Sequence, residues 1–252
     1  MKYLAISDIH GNLDALNAVL AAALDGTDGI VCLGDVVGYG FEPSACVSRL
    51  RELEAAGLLK ACVTGNHDAG VLGAVSSRWF NANARFALEF TRARLTPESL
   101  AWLAARPTDA EFESGVLAVH GSPLEPVTGY LFGGDETEKA LKRLEARGVR
   151  LCLVGHTHTP AWFVKGSGDA GFRAAPGTEI RFSPAGGLPF PGIINPGSVG
   201  FPRSRPEEVD AADYPAEYAL WDSETMAVEF REARYDRRRF EEGTGRLYGS
   251  AE

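Results

Sequence analysis

Five short polar stretches follow apolar runs and carry all five histidines of this 252-residue chain: Ser7-Asp8-Ile9-His10-Gly11-Asn12, Gly34-Asp35, Gly65-Asn66-His67-Asp68, His120-Gly121 and Gly155-His156-Thr157-His158. Asp8 and His10 stand two residues apart, as do His156 and His158, and in extended backbone such pairs point to one side and can reach one centre. Carboxylate and imidazole without thiolate is the ligand mix of Mn, Fe, Zn or Co. The four cysteines, Cys32, Cys46, Cys62 and Cys152, form no CxxC pair and read as small buried hydrophobes. Asp8, His10, Asp35, Asn66, His120, His156 and His158 are too many donors for one tetrahedral ion and suit two ions sharing a carboxylate. Two dications set against the two aspartates leave positive charge to hold a hydroxide and a phosphate oxygen. Any one of these histidines alone reads as readily as a satisfied loop or core residue. Five such stretches in one chain read as convergent ligands.

For residues so far apart in sequence to meet, the elements before them must end side by side. Lys2 to Ile6 reads as a strand and is followed by Leu13, Leu16, Leu20 and Leu24 at helical spacing, with Asn12 as N-cap and Asp14 in the first turn. Ile30 to Leu33 repeats the strand, Pro43 to Leu59 the helix, and Ala61 to Val63 a third strand. Residues 77 to 105 read as two helical pieces broken at Thr96-Pro97. Leu117 to Val119 and Leu151 to Val154 are strands around a helix over 135–147. Alternation of this kind predicts βαβ units and a mainly parallel sheet, whose strand ends share one crevice. Beyond residue 158 short β-like runs prevail: Ala161 to Val164, Ile193-Ile194, Tyr218 to Trp221 and Ala227 to Phe230. Residues 166–192, with seven glycines and four prolines, read as a long surface excursion or hairpin rather than a linker, and the six arginines between Arg231 and Arg246 as a solvated face. A single domain over 1–252 is expected, with a helical cap-like insertion at about 77–106 and the excursion at about 166–192.

Composition narrows the partners. At 45% hydrophobic and 23% charged the chain is ordinary globular material, large enough to fold without a structural metal. A net charge of −9 argues against bulk nucleic-acid or anionic-membrane binding. The apolar runs are far shorter than a membrane span, and the first one meets Asp8 too early for a signal peptide, so a cytoplasmic protein is expected.

In this order, D-x-H, G-D, G-N-H-D, H-G and G-H-T-H resemble the calcineurin-like metallophosphoesterase superfamily, over residues 8 to 158. The resemblance implies an α/β fold: a four-layer αββα sandwich of two mixed β-sheets flanked by helices. It assigns Asp8, His10, Asp35 and His158 to one metal and Asp35, Asn66, His120 and His156 to the other, with Asp35 bridging. His67 matches the position held to contact phosphate or protonate the leaving group, with Asp68 as its orienting partner. Manganese is the expected metal, with iron, zinc, nickel or cobalt as alternatives. The protein serine/threonine phosphatases of the superfamily carry G-D-x-V-D-R-G, whereas this chain reads Gly34-Asp35-Val36-Val37-Gly38-Tyr39-Gly40. Their phosphate-gripping arginine is missing. Asn195-Pro196-Gly197-Ser198-Val199-Gly200 with Arg203 is instead similar to the small prokaryotic phosphodiesterase branch; Arg203 replaces the phosphate contact or forms a surface salt bridge, and Asn195-Pro196-Gly197 reads as a turn beside the site.

The expected activity is therefore hydrolysis of a phosphodiester by a metal-activated hydroxide. Dinucleoside polyphosphate or phosphomonoester hydrolysis by the same centre is the enzymatic alternative, and a metal-free scaffold the non-enzymatic one. Expected substrate contacts are Asn66, His67, Tyr39, Trp79, Tyr130 and Arg203, for a small phosphorylated substrate such as a nucleotide. The aromatic segments 77–83 and 122–132 either wall a pocket and stack a base or pack the helices. The sequence leaves the oligomeric state open.

Overall fold

Tyr3 and Ala5 leave one side of the first strand, β1 (Lys2–Ile6), and Leu4 and Ile6 the other, and the two sides enter different hydrophobic cores. The same division holds in β2 (Gly29–Cys32), where Val31 joins Tyr3 and Ala5 while Ile30 and Cys32 join Leu4 and Ile6. In β5 (Val116–Val119) and β6 (Leu151–Leu153), Val116, Ala118, Leu151 and Leu153 enter the core of Tyr3, and Leu117, Val119 and Cys152 a third one. Strands apolar on both faces are buried on both faces. Three cores therefore separate four layers. The computed structural model describes residues 1–168, 171–183, 185–203 and 209–249.

One sheet has the order β3-β2-β1-β11-β12-β9, with β3 (Leu59–Cys62), β9 (Glu179–Arg181), β11 (Tyr214–Asp222) and β12 (Ala227–Tyr235). β1, β2 and β3 run parallel, and β11 joins β1 antiparallel with Tyr3 opposite Trp221. The second sheet has the order β4-β5-β6-β10-β7-β8, with β4 (Asp109–Glu113), β7 (Ala161–Phe163), β8 (Phe172–Arg173) and β10 (Gly192–Asn195). Here β5, β6 and β10 are parallel and the outer strands antiparallel. The single parallel sheet suggested by the βαβ alternation is thus divided between two mixed sheets, as the resemblance implied. The five crossover strands still end together, three in one sheet and two in the other.

Helices α1 (Leu13–Ala23) and α2 (Pro43–Ala55) cover the first sheet, and α6 (Gly134–Ala146) covers the second through Ala140, Leu141 and Leu144. Asn12 caps α1, its side chain accepting from the Ala15 N–H at 3.1 Å. α3 (Asn66–Leu72), α4 (Ala82–Arg94) and α5 (Pro97–Ala104) follow β3, with Thr96 capping α5 and Pro97 at its first position. The helices expected as a cap-like insertion bury Ala84, Leu88, Trp102 and Leu103 in the same core as α1 and α2, so they belong to the flanking layer. The 166–192 segment, of which residues 169, 170 and 184 lie outside the described ones, is tied to both sheets. It lends β8 to the edge of one sheet and β9 to the other, and Phe182 enters the core between them. The arginine-rich tail is likewise not all solvated: it forms the end of β12 and α7 (Arg238–Gly249), and Arg237 is 8% exposed with its guanidinium 4.0 Å over the Tyr214 ring. Among the described residues no helix is long and apolar enough to cross a membrane.

Candidate metal centre

The segments after β1 and β2 lie against each other, with Asp8 N–H donating to Gly34 O (3.1 Å), His10 N–H to Asp35 O (2.9 Å) and Gly11 N–H to Val36 O (3.0 Å). Gly155 N–H donates to His120 O at 2.8 Å, joining the loops after β5 and β6. The backbone turns sharply at the residues that would bind. Asp8, His10, Asp35, Tyr39, His156 and His158 all have φ between 51° and 67°, and Met226 is the one other described non-glycine residue with positive φ. Such conformations cost roughly 1–3 kcal/mol each and persist only where surrounding contacts impose them. Their concentration in six residues of one site marks it as functional.

Asp8, His10, Asp35, Asn66, His67, His120, His156 and His158 are all buried, and the structure brings them together. His10 Nε2 lies 3.1 Å from His158 Nε2, and these atoms are 3.8 and 3.2 Å from Asp8 Oδ1. On the other flank His120 Nε2 is 2.9 Å from Asn66 Oδ1 and 3.2 Å from His156 Nδ1. Asp35 stands between the two sets: its Oδ2 is 3.7 Å from His10 Nε2 and 3.5 Å from His120 Nε2, while Oδ1 accepts the His67 N–H at 2.8 Å. Asp8, His10 and His158 form one ligand-competent group, Asp35, His120 and His156 another, and His67 falls in a third with His10 and Asp35.

The far nitrogens decide what these groups can hold. His120 Nδ1 lies 2.8 Å from Leu33 O, His158 Nδ1 2.7 Å from Phe201 O and His10 Nδ1 3.3 Å from Val37 O. A carbonyl can only accept, so each Nδ1 carries the proton and each Nε2 presents a lone pair inward. Lone pairs of His10, His158 and Asp8 Oδ1 then converge with no proton among them, and Asp8 Oδ1 has no hydrogen-bond partner. A cation satisfies this arrangement. Burial first, then the neighbouring imidazoles, lowers His67 to about 3 and His156 to about 2; burial also lowers His10 and His120. These four rings are neutral and ready to ligate at neutral pH. Burial, with the Asp68 and Asp8 carboxylates adding, raises Asp35 well above the usual carboxylate range, which a cation beside it reverses. Asp8 goes the other way: burial opposes its ionisation, but His158 and the other imidazoles outweigh burial.

One expected pair does not form. Asp68 does not orient His67: its carboxylate accepts the backbone N–H groups of Gly65 (3.0 Å), Val37 (3.1 Å) and Val36 (3.3 Å), closing α3 onto the loop after β2. Adjacent residues at a helix start point away from each other, and the third helical position is placed to reach back to the N-cap. Burial, against these donors, pushes Asp68 up to about 6. His67 Nδ1 has no hydrogen-bond partner, and its ring sits 4.5 Å from Tyr39 and 4.9 Å from His10. Gly38 makes that position available, since a Cβ there would stand 2.5 Å from His67 Nδ1.

Three positioning residues escaped the sequence reading. Ser198 Oγ donates to Asp8 O (2.9 Å) and accepts from Phe201 N–H (2.8 Å), and Ser198 N–H donates to Glu217 Oε2 (3.0 Å). Asn195 Nδ2 donates to Gly155 O (2.6 Å) and Thr157 Oγ1 (3.0 Å). The Asn195–Gly200 run, of which Asn195-Pro196-Gly197 reads as a turn, braces the loops that carry Asp8, His156 and His158. Glu217, in mid-strand, had no motif to announce it; Asn195 and Ser198 were visible in a motif, but without a bracing role.

Beside the centre a cavity of about 360 Å³ is lined by Asp35, Asn66, His67, His156 and His158 and walled by Tyr39, Trp79, Tyr130 and Arg203. All the expected substrate contacts therefore face one space. Arg203 makes no ion pair among the described residues; its N–H donates to His158 O at 3.0 Å. Phe80 is buried, whereas Trp79 is exposed, so the two aromatics of that segment divide between packing and wall.

Two mixed sheets between helical layers, with aspartates and histidines gathered from their strand ends, define a metal-binding phosphoesterase architecture. The family model for calcineurin-like phosphoesterases matches residues 1–160, and the chain belongs to that family of divalent-metal phosphoric ester hydrolases. It is similar to a crystal structure of a metallophosphoesterase from Sphaerobacter thermophilus, with 34% identity, a TM-score of 0.78, and coverage of 99% of this chain and 94% of that one. An uncharacterised protein of Methanocaldococcus jannaschii is 34% identical over 92% of this chain and 86% of its own length. A hypothetical protein of Pyrococcus horikoshii shares the fold at 20% identity, with a TM-score of 0.74 over 98% of this chain and 93% of that one.

Proposed function

We propose that this protein hydrolyses small phosphodiesters in the cytoplasm, using two divalent transition ions, manganese foremost, held by Asp8, His10, Asp35 and His158 and by Asp35, Asn66, His120 and His156. Such ions supply the charge that acidifies water and neutralises phosphoryl oxygens at neutral pH. The observation that carries the diester reading is Tyr39. It occupies the place of the phosphatases' arginine, its ring 4.7 Å from His10 and 4.5 Å from His67 and stacked on Phe201. Arg203 is then the one lysine or arginine among the described residues lining the cavity. A monoester carries nearly two charges at pH 7 and a diester one, so a single guanidinium matches the diester. His67 lines the cavity beside the departing oxygen; its ring, neutral in the free protein, gains a proton next to the bound phosphoryl anion and hands it to that oxygen. Asn66 and His67 contact the phosphoryl group, and Tyr39 and Arg203 flank it.

Loading the purified protein with Mn²⁺ and comparing bis(p-nitrophenyl) phosphate, p-nitrophenyl phosphate, a phosphoserine peptide and a dinucleoside polyphosphate tests this. The diester should exceed the rest in kcat/KM by about tenfold or more, roughly one charge-assisted hydrogen bond. A higher value for a monoester or the polyphosphate overturns the diester assignment, and no hydrolysis of any of them by metal-loaded protein overturns the enzyme.

A further inference from the structure

Of the six large hydrophobic side chains exposed among the described residues, Trp79 at 44% and Tyr130 at 44% line this cavity, and a third, Phe132 at 62%, stacks beside Tyr130 with ring centroids 5.6 Å apart. They come from two segments far apart in sequence, the short 3-10 turn Ser77–Trp79 and the loop between β5 and α6. Their planes nearly agree, 14° between Trp79 and Tyr130 and 9° between Tyr130 and Phe132. Tyr130 lies 3.9 Å from the His156 ring, so the surface runs from the metal centre outward. Loose loops do not account for the exposure. Phe80, next to Trp79, is 4% exposed and Leu131, between Tyr130 and Phe132, 3%, so buried neighbours pin each outward ring. Aromatic side chains carry large apolar areas that packing alone would bury.

We infer that Trp79, Tyr130 and Phe132 form a stacking platform for a planar ring on the part of the substrate retained after cleavage, making the substrate a nucleoside or aryl phosphodiester. The inference rests on the diester reading. Parallel rings offer π-faces to a flat partner, and every nucleobase has one. The side of attachment follows from the arrangement about Asp35. The platform abuts His156, in the group with His120, whereas His67, which faces the leaving oxygen, groups with His10. A diester has two ester groups, so with the departing one at His67 the one on the platform is the one that stays.

The test uses two diesters with a common leaving group, the p-nitrophenyl ester of thymidylate and methyl p-nitrophenyl phosphate, on the Mn²⁺-loaded enzyme. The ratio of their kcat/KM values cancels any general loss of activity in a variant. Base stacking is worth about 5- to 150-fold per ring by alanine substitution, so the wild-type ratio should exceed about fivefold, Trp79→Ala and Tyr130→Ala should bring it towards one, and Trp79→Phe should restore most of it. A wild-type ratio near one, or a ratio that neither alanine variant changes, overturns the platform. If neither diester turns over, it is the proposed activity that fails, and binding still reads the platform. Uridine monophosphate should quench Trp79 fluorescence saturably and ribose phosphate should not, with the quench lost in Trp79→Phe. Equal quenching by ribose phosphate, or none by the nucleotide, rejects a base-stacking surface.

Discussion

Ser198→Ala removes one oxygen from a fully buried side chain and separates two loops that carry metal-ligand candidates. The hydroxyl gives its proton to Asp8 O at 2.9 Å and accepts the Phe201 N–H at 2.8 Å. Asp8 O keeps the Gly200 N–H at 3.0 Å, but the Phe201 N–H has no other acceptor among the described residues, and Phe201 O orients His158 through a 2.7 Å contact to Nδ1. One lost hydrogen bond at about 1 kcal/mol and one partly buried donor left unsatisfied give a destabilisation of about 1.5–3 kcal/mol. For a chain of this size that lowers Tm by roughly 3–10 °C. Because Ser198 stands directly behind Asp8 and, through Phe201, behind His158, metal affinity should fall by about 10- to 100-fold, as for other groups that orient ligands. Urea unfolding of the metal-free protein and calorimetric Mn²⁺ titration measure the two effects. A variant within about 0.5 kcal/mol of wild type with unchanged affinity would refute the bracing role of Ser198.

Three further outcomes follow from the same structure. Asp35→Asn should bring bound metal, counted by elemental analysis, from about two ions per chain to fewer than one, while Asn66→Ala should keep one, because Asp35 Oδ2 faces His10 and His120 together. His67→Asn should retain its metals and most of its rate on bis(p-nitrophenyl) phosphate yet lose about 10²- to 10⁴-fold on an alkyl diester, whose basic leaving oxygen needs the proton; equal losses on both substrates would remove the general-acid role. The four cysteines are buried and form no disulfide; burial raises the thiols of Cys46 and Cys152, and the Cys32 contact, with burial adding, raises that of Cys62, so the native protein should not react with a thiol reagent at neutral pH until it unfolds.

The candidate site was legible because its chemistry is written locally. Each ligand follows directly on the apolar run that becomes its strand, and the thrift of five histidines made the pattern stand out. Fold class came through the motifs more than through periodicity, since β1, β2 and β3 read the same whether one sheet or two follow. Pairings between distant segments were not legible. β4, with sequence Asp-Ala-Glu-Phe-Glu, and the two-residue β8 gain their strand character from neighbours in the sheet, as β9 does from β12. α7 was hidden by its arginines and glycines, although Phe240 is buried and Arg239 ties it to Glu42 and Asp14. Asp68 misled because closeness in sequence to His67 suggested a pair, where the helix start directs the two side chains apart.

The most direct test of the central claim is anomalous diffraction from crystals soaked in Mn²⁺. Two peaks should lie either side of the Asp35 carboxylate, one against Asp8, His10 and His158 and the other against Asn66, His120 and His156. A single peak, peaks elsewhere, or none at saturating metal would contradict the dinuclear centre.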